Sequence, residues 1–259
     1  MTATYVKEWL GLLAEGRQTI TAAELVQKLD VSPEAAEMAI QRAQQAGWLF
    51  SPVRGLYVVV PPEYRSWGVI PGERFIDAAM RHLHVGYYVG YLSAAAHHGA
   101  SHQAAQVFQV VVDHRLRDRE IGGLRLRYYY STRVSRSAAT TVRGEHGRWR
   151  VSTPEATLLD LLERPERGGG IGNVMTVARS LPLDAGDLAD AAADRGPTAA
   201  RRAGWVIARV RSDVDTARLA KLAKSGAGAP SPLDARGPGQ GPVDRRWWIR
   251  ENAGAEADR

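Results

Sequence analysis

The stretch from Thr21 to Val60, TAAELVQKLDVSPEAAEMAIQRAQQAGWLFSPVRGLYVVV, constrains the fold more than any other part of this chain. Thr21 followed by Glu24 is a capping box, in which a hydroxyl and a carboxylate cover the open N–H groups at a helix start. Leu25, Val26 and Leu29 give that helix an apolar face. Asp30-Val31-Ser32 interrupts the period, and Ser32-Pro33 restarts it with serine as N-cap and proline at the first helical position. Ala36, Ala39, Ile40 and Ala43 then recur at helical spacing and face the first helix. Pro33, Glu34, Ala35, Glu37, Met38, Gln41, Arg42, Gln44 and Gln45 face outward. Gly47 closes the helix. Trp48–Phe50 and Leu56–Val60 read as two short strands around a turn containing Pro52 and Gly55. Upstream, Tyr5–Ala14 offers a further helix with Val6, Trp9, Leu10 and Leu13 on one face. Helix–turn–helix followed by a hairpin is a winged helix, a fold that presents its second helix to the DNA major groove.

Charge sharpens that expectation. The whole chain carries a net +6 over 259 residues with a pI near 9.8, which favours a polyanionic partner. Residues 1–60, however, hold five basic side chains against six acidic ones. The excess lies between Ser101 and Arg150, where ten arginines face four acids. Arg115, Arg117, Arg125, Arg127 and Arg133 belong to this block. Three readings suit it: a solvated sheet face, a second surface for the DNA backbone, or a surface for an acidic patch on a protein partner. Leu124–Ser131 alternates, setting Arg125 and Arg127 on one face and Leu124, Leu126 and Tyr128 on the other. Two adjacent guanidiniums suit phosphate or carboxylate.

The chain is long enough for two cores. Pro61-Pro62 stops the hairpin, so a winged-helix domain is expected over 1–62, a connector over 63–72 and a mixed α+β domain with a small sheet over 73–252. Within the latter, helices are expected at Glu73–Leu83, Gly90–Ala96, Ser152–Glu163, Ile171–Leu181, Ala185–Ala193, Thr198–Val210 and Val214–Lys224. Gln106–Asp113 should be a buried strand, Asp113–Gly123 a loop or hairpin connection, and Thr141–Val151 a further hairpin. Glycine and proline dominate 225–241, expected to be extended or mobile. Arg245–Arg250 should dock back on the second domain, and residues 253–259 should fray. Cysteine is absent, which removes disulfides and thiolate metal sites from consideration. No apolar run reaches the ~20 residues of a membrane span, and the first ten residues lack the pattern of a signal peptide. A cytoplasmic protein without membrane association is expected.

Catalytic signals are sparse. Ser93 sits among alanines and not in Gly-x-Ser-x-Gly, which favours close helix packing. Glu155 and Asp160 share a helix and leave a nuclease-like carboxylate pair open, although Glu155 also suits the first turn. The histidines at 82, 84, 97, 98, 102, 114 and 146 lack metal-ligand spacing, so no metal and no cofactor are expected. Gly168-Gly169-Gly170 follows a helix and lacks a subsequent lysine, unlike a phosphate-binding loop.

The order of motifs, from the winged helix through Arg54-Gly-Leu-Tyr-Val, Tyr87-Tyr-Val-Gly-Tyr-Leu-Ser-Ala-Ala-Ala-His-His-Gly99 and Val151-Ser-Thr-Pro-Glu-Ala-Thr-Leu-Leu-Asp160, resembles the AbiEi-type antitoxins of type IV toxin–antitoxin systems. Pro232-Leu-Asp234 with Arg245-Arg-Trp247 resembles the family's C-terminal close. The resemblance implies a non-catalytic antitoxin that represses its own operon through the winged helix and counteracts a nucleotidyltransferase-like toxin through the C-terminal domain. Its partners would be operator DNA and that toxin, encoded alongside. On the reading side, Ser32, Glu34, Ala35, Glu37, Met38, Gln41, Arg42, Gln45 and the wing-tip Arg54 are the expected DNA-facing residues. Gln41, Gln44 or Gln45 suits adenine, Arg42 guanine or phosphate, and Glu34 or Glu37 cytosine N4. Two alternatives stand beside this reading: a transcriptional regulator with a ligand-sensing second domain, and a nucleic-acid-processing enzyme using Glu155 or Asp160.

Overall fold

A computed structural model describes residues 3–100, 107–144, 147–226 and 228–253, with side chains from residue 7 onward. The chain is mixed α+β, as expected, and divides into two compact units. The first comprises residues 1–88, 106–135 and 141–150; the second comprises 89–105, 136–140 and 151–259.

The first unit begins with α1 (Ala3–Ala14), β1 (Thr19–Thr21), α2 (Ala22–Leu29), α3 (Pro33–Gln45), β2 (Leu49–Val53) and β3 (Leu56–Val59). The strands form an antiparallel sheet ordered β1-β3-β2, with Thr19 opposite Val58 and Phe50 also opposite Val58 across the other edge. This is the winged helix–turn–helix arrangement. Its helices take shape for the local reasons read above: Thr21 and Glu24 complete the capping box, and Asp30 closes α2 in a left-handed conformation. Trp9, Leu12, Ile20, Leu25, Ala36, Ile40, Ala43, Trp48, Leu49 and Val59 fill the core beneath. The strand β1 escapes the sequence reading because three residues carry too little period to announce it.

The segment expected to be a connector is instead two short 3-10 turns, Pro62–Tyr64 and Gly72–Arg74, between which Val69 and Ile70 are buried. It leads into α4 (Ile76–Leu83). The compact unit therefore does not end near residue 62. Phe50 of β2 meets Phe75 edge-on, with ring centroids 5.2 Å apart.

The same unit holds most of a six-stranded sheet, ordered β6-β7-β5-β4-β9-β8. Its strands are β4 (Tyr87–Val89), β5 (Val107–Val112), β6 (Arg119–Ile121), β7 (Leu124–Tyr130), β8 (Ala139–Gly144) and β9 (Gly147–Ser152). Strands β5 and β7 run parallel, Val107 opposite Arg125 through Val112 opposite Tyr130, while β6 folds back antiparallel on the outer edge of β7. The hairpin expected at Thr141–Val151 is present as β8 and β9.

The second unit is mainly helical: α5 (Tyr91–His97), α6 (Pro154–Glu163), α7 (Ile171–Ser180), α8 (Ala185–Arg195), α9 (Pro197–Val210) and α10 (Ala217–Lys224). Helix α9 packs against α6, α7, α8 and α10 and buries Ala200, Ala203, Trp205, Val206 and Ile207. It also buries two consecutive arginines. Arg201 donates to the carbonyls of Ala223 and Gly226 and to the Ser231 hydroxyl, and Arg202 donates to the carbonyls of Leu162 and Pro232. Burial lowers the Arg202 pKa from its usual value. These guanidiniums anchor parts of 225–241, which is irregular in conformation but carries the short strand β10 (Ser231–Pro232). Next to it lie β12 (Ile249–Arg250) and β11 (Val243–Asp244). Residues 254–259, expected to fray, lie outside the described residues. Among the described residues, no helix is long and apolar enough to cross a membrane.

The docking expected for Arg245–Arg250 is realised by Trp247, only 1% exposed. Its indole lies on α9 so closely that a Cβ at Gly204 would stand 1.9 Å from a ring carbon. Gly204→Val should therefore displace the indole and destabilise the folded chain by about 2 kcal/mol or more. Urea unfolding followed by tryptophan fluorescence checks this; an unchanged midpoint would place Trp247 elsewhere.

Candidate nucleic-acid interface

Helix α3 is set by its first turn. The Ser32 hydroxyl accepts from the Ala35 N–H at 3.3 Å, and Pro33 occupies the first helical position. Ala36, Ala39, Ile40 and Ala43 are buried, leaving Glu34, Glu37, Met38, Gln41, Arg42, Gln44 and Gln45 exposed and Ala35 half-buried. The outward face is thus the one read from the sequence. Two of its members are partly engaged. The Glu34 carboxyl is held below its usual range, first by its own backbone N–H and then by the Ser32 hydroxyl, so it belongs to the helix start. Arg42 returns its Nε to the Met38 carbonyl at 3.1 Å.

The wing is the β2–β3 turn. Arg54 is exposed at its tip, followed by Gly55 at φ +84°. The Arg54 carbonyl lies 3.1 Å from Nε2 of His82 on α4. A carbonyl only accepts, so this contact requires the Nε2–H tautomer. His82 thereby supports the wing tip from below, a role its sequence surroundings did not announce. Two arginines outside the expected set also support this domain. Arg65 donates to the Ala46 carbonyl at 2.8 Å and stacks 3.8 Å from the Trp48 ring, placing a cation at the C-terminus of α3, where the helix dipole favours it. Arg119 donates to the Ser51 carbonyl of β2.

The arginine block is heterogeneous. Arg117 and Arg125 are exposed, and neither forms an ion pair with any described residue. Arg115 lies over the Tyr130 ring at 5.0 Å. The alternation of β7 is as expected, with Leu126 and Tyr128 buried. Arg127, though, is half-buried and paired with Asp118 at 3.3 Å and Glu120 at 3.4 Å. Arg133 is also half-buried. Two free adjacent guanidiniums on β7 were expected; one is already neutralised, because the β6 strand brings acids against it.

In the second unit, the two carboxylates read as an open nuclease-like pair are committed separately. Glu155 accepts from the Asp184 N–H at 3.0 Å ahead of α8, and Asp160 pairs with Arg195 at 2.7 Å. Both are buried. Ser93 is buried on α5, in keeping with a packing role. His98 Nε2 donates to the Ser152 carbonyl at 2.7 Å, and His97 lies beside it, its pKa lowered by burial and then by His98. Among the described residues, no group of histidines and carboxylates is arranged to hold a metal ion; His102 and His146 lie outside them.

Residues 88–208 match the family model of the AbiEi antitoxin C-terminal domain. The resemblance carried by the Tyr87–Gly99 and Val151–Asp160 motifs is borne out over that span. No curated protein matches the chain in sequence. In structure it is similar to the RV2827C protein from Mycobacterium tuberculosis, with a TM-score of 0.71 and 17% identity over 98% of this chain and 93% of that one. At that identity the likeness concerns the fold.

The support beneath the wing yields a prediction. His82→Ala should raise hydrogen exchange at Arg54–Leu56 several-fold while leaving protection in α3 unchanged. Equal exchange at the wing in both proteins would remove His82 from this role.

Proposed function

We propose that this chain is an antitoxin that represses its own toxin–antitoxin operon through the winged helix and counteracts a nucleotidyltransferase-like toxin through its C-terminal part. The match of residues 88–208 to the antitoxin domain carries this reading. The exposed polar face of α3 supports its DNA-binding half. Gln41 and Gln45 offer an amide donor and acceptor that complement adenine N7 and N6 in the major groove, Arg42 a donor for guanine or phosphate, and Glu37 an acceptor for cytosine N4. Arg54 at the wing tip would meet phosphate or the minor groove. Ser32 and Ala35 would bring the N-terminal turn of α3 to the backbone, Glu34 would stay engaged with the helix start, and Met38 would offer an apolar contact. Arg115, Arg117 and Arg125 would add backbone affinity, while Arg127 and Arg133 contribute less than their positions first suggest. The protein acts in the cytoplasm, beside the product of the adjacent toxin gene, and carries out no catalysis itself. The commitments of Glu155 to α8 and Asp160 to Arg195 favour this over the enzyme reading.

The two halves separate genetically in the full-length chain. Gln41→Ala combined with Arg42→Ala should relieve operon repression at least tenfold, since each base contact is worth about 1–3 kcal/mol, yet still rescue growth when the toxin is co-expressed. Loss of rescue by this variant, with its folding intact, would show that DNA binding and neutralisation are one function. Failure of the wild-type chain to rescue would contradict the antitoxin assignment.

A further inference from the structure

Within the first unit, a cleft of about 460 Å³ opens between the segment entering β1, α4 and the start of β9. Its size falls in the range of small-molecule sites, but its lining is strongly polar. Four guanidiniums reach it, from Arg17, Arg74, Arg81 and Arg148, against the two carboxylates of Glu24 and Asp77.

The pairing among these groups is uneven. Arg17 and Glu24 satisfy one another at 2.7 Å. Asp77 is shared: it receives Arg81 at 2.8 Å and the Tyr87 hydroxyl at 3.1 Å, with Arg148 further off at 3.8 Å. Arg74 has no acidic partner among the described residues. Its Nε is buried without an acceptor, and its guanidinium lies 5.3 Å from the Tyr64 ring. Gln18, only 8% exposed, also lines the cleft. Buried polar groups are rarely left unmatched, and a bound ion or ligand is one ordinary reason. The surplus of two positive charges favours an anion, and guanidiniums bind phosphate with paired, directed donors.

We propose that this cleft is a binding site for a phosphate group, with Arg74 as its principal ligand and Arg148 closing over it from the β9 side. The proposal goes beyond the antitoxin reading and does not depend on operator recognition. Two sources share the chemistry: a small phosphorylated molecule, or a backbone phosphate of bound DNA.

Calorimetric titration of the full-length chain separates them, using inorganic pyrophosphate, AMP and a short non-operator duplex as probes. A small-molecule site predicts saturable binding of pyrophosphate or AMP, weakened about tenfold by Arg74→Gln and only partly kept by Arg74→Lys, which retains the charge but not the paired donors. Arg245→Gln, which alters an exposed arginine of the C-terminal segment, should leave it unchanged. If only the duplex binds, and Arg74→Gln weakens it by a similar factor, the phosphate belongs to DNA. Should Arg74→Gln lack a cooperative melting transition, Arg148→Gln on the exposed rim serves instead, with a loss of about threefold. Saturable binding of no probe, or binding that these cleft variants leave at the wild-type level, would overturn the proposal.

Discussion

The chain has three phenylalanines, and all of them serve one junction. Phe50 at the base of the wing meets Phe75 edge-on. The Phe108 ring of β5 lies against Gly72, where even a methyl group would come within 2.6 Å of it. Phe75 thereby ties the base of the wing to the start of α4, and Phe108 ties β5 to the turn just before it, all within one compact unit. Burial of large aromatic surface, together with edge-to-face geometry, makes such a cluster worth several kcal/mol. The contacts of His82 with the wing tip and of Arg119 with β2 add polar ties within the same unit.

This junction bears directly on charge. Residues 1–60 carry more acids than bases, whereas backbone neutralisation supplies much of the affinity for DNA. A winged helix of this composition gains from cations carried elsewhere. Strands β6 and β7, with the loop before them, bring Arg115, Arg117 and Arg125 into the same compact unit. In the proposed division of labour, α3 and the wing select the sequence, while the sheet's exposed arginines strengthen binding to any duplex.

Much of this architecture is legible in the sequence wherever the signal is local. The capping box at Thr21, the Ser32-Pro33 start and the alanine face of α3 each lie within a few residues, and each takes the expected form. Elements defined by distant partners are not legible. The strands β1 and β4 span three residues each and exist because β3 and β9 lie alongside them. The anchoring of 225–241 depends on Arg201 and Arg202, which read as surface arginines on an amphipathic helix until the tail covers them. The interface follows the same rule. The outward face of α3 could be listed residue by residue, but the pairing of Arg127 with Asp118 and Glu120, and the services of Arg65, His82 and Arg119, depend on chain crossings that no local period encodes.

The salt dependence of operator binding by the full-length chain tests the division of labour most directly. Replacing both Arg117 and Arg125 by glutamine should weaken binding to every duplex and reduce the slope of log affinity against log salt by roughly two, with preference for the operator preserved. An unchanged slope and affinity would contradict the account, leaving the winged helix to hold DNA alone.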